Sequence, residues 1–170
     1  MDASAISQII FLIILLIFSA FFSSAETALT TVNKIRMRTL ADDGNKRAER
    51  VLRITDDSHK MLSAILIGNN IVNLSASSLA TTLAIKLWGS VGAGIATGIL
   101  TFLILVFGEI SPKTFATLYA DQISIAYSGI IGFLMKILTP VIFLVNQFSM
   151  GFLFLLHMDP KANNNQMTEE

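Results

Sequence analysis

A chain of 170 residues with 53% hydrophobic and only 14% charged side chains is too apolar for an ordinary soluble domain, where about a quarter of residues are charged. It has no cysteine and a formal net charge of zero, which excludes a disulfide framework, a thiolate metal site and a cysteine nucleophile. The zero balance hides a lopsided distribution: eight of the 12 Lys and Arg fall between Lys34 and Lys60, whereas no charge occurs from Ala3 to Ala25 or from Leu87 to Gly108.

A span needs ~20 mainly apolar residues to cross a hydrocarbon core of ~30 Å. Span one is expected over residues 5–29, with the run Ile9 to Phe18 at its centre and Ser19, Ser23, Ser24, Glu26 and Thr27 behind it. It lacks the basic start and short apolar core of a cleaved signal peptide. Lys46 to Arg53 reads as a surface helix with Val51, Leu52 and Ile54 on one side. Span two, over 60–87, carries Gly68-Asn-Asn-Ile-Val-Asn73 and several hydroxyl residues. Trp88-Gly-Ser90 is a tight connection, with Trp88 suited to a membrane interface. Span three, over 91–110, opens with small residues, and Gly94-x-x-x-Gly98 allows close helix approach. It ends at Gly108-Glu-Ile-Ser-Pro-Lys113. From 122 to 157 the apolar sequence is interrupted by Lys136, Pro140, Asn146 and Gln147, and Pro140 breaks or kinks a helix. The residues alone leave open a fourth span, a hairpin or interfacial helices. Residues 1–158 thus form a transmembrane domain, and 159–170 a polar linker or tail. The fold class is an all-α integral membrane protein of three spans plus juxtamembrane helices. The basic loop after span one belongs in the cytoplasm, which places the N-terminus outside and the C-terminus inside. It also serves as a contact for anionic lipids.

The polar residues inside the spans are the candidates for chemistry. Ser19 and Ser23 are four apart and share a helical face, and Asn70, Asn73 and Ser77 form a stripe on span two. Glu109 follows Gly108 and precedes Pro112, where a break in the helix would free backbone carbonyls. Hydroxyl, amide, carboxylate and carbonyl oxygens are the ligands of a hard cation such as Mg²⁺. Broken helices at membrane depth line transporter ion sites. The absence of cysteine disfavours a soft-metal site. The bland alternative is that Ser and Asn act as interhelical glue, at about 0.6 kcal/mol per hydrogen bond, and that Glu109 merely snorkels. Glu109 is the strongest of the set, because an ionisable group within a span is costly to keep there. His59 and His157, at the ends of apolar segments, are given no role.

Three motifs in order, Ser19-Ala-Phe-Phe-Ser-Ser-Ala-Glu-Thr-Ala28, Ile67-Gly-Asn-Asn-Ile-Val-Asn73 and Phe107-Gly-Glu-Ile-Ser-Pro-Lys113, resemble the transmembrane domain of the CorC/cyclin M family. The resemblance extends from about Ser4 to Leu156. It implies a homodimer of three-span subunits in the cell membrane, exporting Mg²⁺ with Na⁺ entry as the coupling. It matches Ser19 and Ser23 to the paired serines of the family's first span, Asn70 to the asparagine of the second and Glu109, with Gly108, to the acidic position of the third. Asn73 is a further candidate one turn away. The resemblance also implies that 122–157 forms in-plane helices girdling the spans. The cytosolic CBS modules of the family are expected beyond Glu170, so nucleotide regulation is not read from this chain.

No enzyme activity and no nucleic-acid partner are expected. An intramembrane serine protease would need Ser23 or Ser24 as nucleophile, but no histidine falls inside a span and no Gly-x-Ser-x-Gly elbow occurs. The alternative to a transporter is a non-transporting membrane anchor for a cytosolic regulatory module, in which the Asn and Glu positions only pack.

Overall fold

The computed structural model describes residues 3–155, and every regular element among them is a helix. Helix α1, Ala3–Thr31, is the central post of the molecule and packs against both other spans and a later helix. Its 29 residues reach about 43 Å at 1.5 Å per residue, so it crosses the hydrocarbon with more than a turn to spare. Two short helices follow, α2 (Lys34–Asp42) and α3 (Lys46–Asp56).

Each start is dictated by a capping side chain. Asn33 accepts from the Arg36 N–H at 3.1 Å, and Asn45 from those of Arg47 at 3.0 Å and Ala48 at 3.2 Å. Such caps satisfy amide donors that the helix itself leaves unpaired. Between the two helices Gly44 takes φ 88°, a conformation that residues with a β-carbon seldom adopt. Helix α2, which the sequence reading treated as part of a basic loop, is therefore an ordered element. Its Met37 is fully buried with Val51 and Ile54 of α3.

Asp57 caps the next helix through the Lys60 N–H at 3.1 Å. Helical backbone then continues to Leu103, interrupted where Gly89 adopts φ 71° and ψ −163°. The break defines two spans, α4 (Ser58–Gly89) and α5 (Val91–Leu118). A β-carbon on Gly92 would lie 2.8 Å from the Ala84 carbonyl, so this connection closes only around a glycine. Met61, Ala64 and Ile65 of α4 share one core with Ala25 and Leu29 of α1 and with Val32 just beyond it. The start of α4 thus lies beside the end of α1, and the two run antiparallel.

Among the described residues three helices, α1, α4 and α5, are each long and apolar enough to cross a membrane, and one bent pair of later helices passes the same test only when taken together. Large apolar side chains such as Leu66, Ile71, Leu74, Ile99 and Phe102 remain exposed along them, as hydrocarbon-facing residues would. Span three continues to Leu118, past the expected end at 110, with Pro112 in the first turn of its last segment.

Helices α6 (Ala120–Ile137) and α7 (Thr139–Leu155) follow. They meet at a 64° bend beside Pro140, the break expected from the sequence. Helix α6 lies along α3 and the end of α1, burying Ile131 and Met135 in the core shared with Val51 and Ile54. Asp121 in its first turn accepts from the Asn33 N–H at 3.1 Å and pairs with Arg36 at 3.1 Å. That staple fastens α6 to the start of α2. The 159–170 tail and the last residues of the 122–157 segment lie outside the described residues.

Candidate cation site

Most hydroxyls on these helices are spent on their own backbone. Ser24 Oγ donates to the carbonyls of Ala20 at 2.7 Å and Phe21 at 3.0 Å. Thr30 and Thr31 do the same to Glu26 and Thr27, both at 2.7 Å. Ser19 and Ser23 do not. Both residues are buried, at 1% and 0% exposure, and neither hydroxyl has a hydrogen-bond partner among the described residues. On α4 the amide oxygens of Asn69 and Asn73 are likewise buried and unpartnered. Buried polar atoms are otherwise almost always paired, so four such oxygens on two packed helices need a reason.

The two pairs share a depth. A β-carbon on Gly68 would lie 2.5 Å from the Phe22 ring, so α4 touches α1 where Gly68 meets Phe22. Asn69 and Ser23 flank that contact. Because the helices are antiparallel, Asn73 then lies one turn toward the level of Ser19. Span three arrives from another side. A β-carbon on Gly108 would lie 2.8 Å from Ser19 Oγ, so the backbone of α5 abuts that hydroxyl. Two glycines thus bring two helices onto α1 around Ser19 and Ser23.

The expected break near Glu109 takes a different form: the helix is not interrupted but widens into a π-helix over Ile104–Ile110. Such a stretch bonds each N–H to the carbonyl five residues back and is frequent at functional sites. Pro112 adds to the effect. It has no N–H to give the carbonyl four residues earlier, which is that of Gly108. Glu109 is partly buried and forms no ion pair among the described residues. Lys113, one turn on, pairs instead with Glu26 of α1 at 3.2 Å, tying α1 to α5 just beyond the site.

Asn70 lies on the exposed side of α4 in the single chain, and Ser77 is partly buried. The inward stripe of α4 is Asn69, Asn73, Ala76 and Ala80. Asn69 was not singled out in the sequence, where the spacings 70-73-77 and 69-73-76-80 are equally helical. Gly68 is the signal that separates them, because the bare residue marks the contact face. Gln8 and Ser124 also have a buried, unpartnered oxygen each, but Gln8 lies about 16 Å along α1 from Ser19 and Ser124 is on α6, so both stand outside the group. Among the described residues no cluster of three His, Cys, Asp or Glu occurs. The arrangement is therefore a neutral oxygen cage with one adjacent carboxylate.

Comparison with known proteins places this arrangement in a family. Residues 10–170 match the model of the cyclin M transmembrane N-terminal domain. The chain belongs to the cyclin M family. The cyclin M domain described here is 45% identical over 150 residues to a UPF0053 protein of Haemophilus influenzae, covering 88% of this chain and 36% of the relative. It is 41% identical over 128 residues to the UPF0053 inner membrane protein YfjD of Escherichia coli, covering 75% of this chain and 30% of the relative. At 23% identity it also matches a protein of Haemophilus influenzae named polyamine export protein, over 95% of this chain and 40% of that one. The chain spans about a third of the length of these relatives.

Proposed function

We propose that this domain carries Mg²⁺ outward across the cell membrane, coupled to Na⁺ entry, working as a homodimer with its N-termini outside. The observation that carries the reading is the set of four buried, unpartnered oxygens on Ser19, Ser23, Asn69 and Asn73, gathered where Gly108 abuts Ser19. A hard cation is the partner such oxygens lack. Glu109 supplies the single formal charge and the carbonyl of Gly108 a further oxygen. A site with few charges suits transport, since the ion must leave as readily as it enters. Na⁺, also a hard cation, competes for the same oxygens. In the full-length protein, cytosolic CBS modules would act on the spans through α6 and α7.

A polyamine is the second reading, favoured by the name of one relative and by the fact that orphan oxygens also accept N–H donors. One carboxylate matches only one of a polyamine's several ammonium groups, which favours Mg²⁺. The test is flux into liposomes holding a Mg²⁺ indicator, with labelled spermidine in a parallel arm. Mg²⁺ flux in the wild type and its loss in Glu109→Gln is the expected result. Spermidine flux alone would select the second reading. No flux of either from a folded protein would leave a membrane anchor.

A further inference from the structure

A groove of about 420 Å³ runs between α3 and α6, far in sequence from the oxygens of the cation site. Its volume falls within the ~300–1,000 Å³ of ordinary ligand sites. Arg47 and Arg50 form one wall, and Ile125, Gly129, Ile130 and Phe133 line the other. The two arginines are three apart, so they share a face of α3. A β-carbon on Gly129 would sit 3.1 Å from Arg50 Nη1, so the guanidinium lies close over the bare backbone of α6.

The charges in this groove are uncompensated. Arg36 is paired with Asp121 and Arg53 with Glu49, but neither Arg47 nor Arg50 has an ion-pair partner among the described residues. Beside them the apolar wall stays open, with Ile130 53% and Phe133 62% exposed. Two free guanidinium groups bordering an open apolar strip match a ligand with an anionic head and a hydrocarbon tail. Guanidinium groups fork onto phosphate oxygens, while the strip takes a chain of methylenes. Helix α3 follows the end of span one, where the basic loop meets the cytoplasmic headgroups.

We infer that this groove binds one anionic phospholipid per chain, its phosphate between Arg47 and Arg50 and an acyl chain along Ile130 and Phe133 of α6. The bound lipid joins α6 to α3 and thereby braces the end of α1, against which α6 also packs. This site does not depend on the identity of the transported ion.

The test is native mass spectrometry of the purified chain in detergent, titrated with phosphatidylglycerol or with phosphatidylcholine of the same acyl chains, alongside thermal unfolding. The expected result is one retained phosphatidylglycerol per chain and a raised unfolding temperature. Phosphatidylcholine should do neither. In the Arg47→Gln/Arg50→Gln double variant, retention should fall about tenfold or more, as expected for removing two lipid-facing cations. Arg38→Gln, an exposed cation outside the groove, should retain lipid like the wild type. Gly129→Leu, which fills the groove and keeps both charges, should also lose the lipid, and it carries the test alone should the double variant fail to fold. Equal loss in Arg38→Gln would mean diffuse attraction to the whole basic loop and would overturn the site. So would equal retention of phosphatidylcholine, full retention in Gly129→Leu, or complete displacement by inorganic phosphate, which would mark a free-anion pocket. A change in oligomeric mass in the double variant, without lipid loss, would instead make this face a contact with a second copy.

Discussion

Ser19, Ser23 and Ser24 stand within two turns of one helix, yet only Ser24 returns its hydroxyl to the backbone. A serine in a span can always do this, and its failure at two adjacent turns of α1 sets these hydroxyls apart from Ser24, a state they share with Ser124 on α6. Glu109→Gln keeps shape while removing the charge, so Mg²⁺ affinity should fall about tenfold or more, given ~1.5–3 kcal/mol for interactions with charged groups. Ser23→Ala should weaken binding less, because a neutral ligand is lost. Isothermal titration of both variants, with thermal unfolding to confirm folding, checks this ranking, and unchanged affinity in a folded Glu109→Gln would move the site elsewhere. On α4 the geometry distinguishes two neighbours. Asn69→Ala should lower Mg²⁺ affinity about three- to tenfold, the scale of one lost ion–dipole contact, while Asn70→Ala leaves it unchanged in the same titration. The reverse order would mean that α4 turns its other face inward when the ion binds. That Ser19 and Ser23 share one face of α1 was legible in the sequence from their spacing, and Glu109 stood out because a carboxylate is costly in a span. The choice of asparagine was not, since adjacent residues on a helix differ only by a rotation that packing sets.

At the scale of elements, glycines and one proline decide how close the spans come. Gly68 admits the ring of Phe22, and Gly108 admits the hydroxyl of Ser19. Neither approach survives a larger side chain without a shift. The π-helix over Ile104–Ile110 widens the third span at Gly108 and Glu109 without ending it, an outcome that a motif with glycine before and proline after does not distinguish from a break. Pro112→Ala would restore an N–H able to engage the Gly108 carbonyl. It should therefore reduce Mg²⁺ affinity while raising or preserving thermal stability. A Pro112→Ala protein that binds as tightly as the wild type would remove that carbonyl from the ligand set. The short helices were only partly visible in advance. Helix α3 showed its apolar side, whereas α2 is too polar for periodicity to reveal, and it is held by the Asn33 cap and the burial of Met37.

For the whole molecule, the proposed orientation of the spans rests on the basic segment between Lys34 and Lys60. Because the chain has no cysteine, a single cysteine at Gly89 gives a clean probe. It should react with an impermeant maleimide from outside only, and labelling from the cytoplasmic side only would invert the topology. Assembly follows from what the chain leaves uncovered. The outward faces of α4 and α5 are apolar and exposed in the single chain, open to lipid or to a second copy, and for the proposed homodimer light scattering in mild detergent should return the mass of a dimer. A monomer that still transports would refute it. The amino-acid sequence by itself determined the number of spans, their approximate limits, the break at Pro140 and the oxygen-rich character of the interior. Each of these follows from composition along the chain, since hydrocarbon tolerates only long apolar helices. Only the tertiary structure decided which asparagine faces α1, that the third span bulges instead of breaking, that α6 lies along α3, and that Arg47 and Arg50 have no ion-pair partner among the described residues. Those outcomes depend on how helices rotate and meet, and a rotation of one residue leaves the composition of a span untouched while exchanging the atoms it presents.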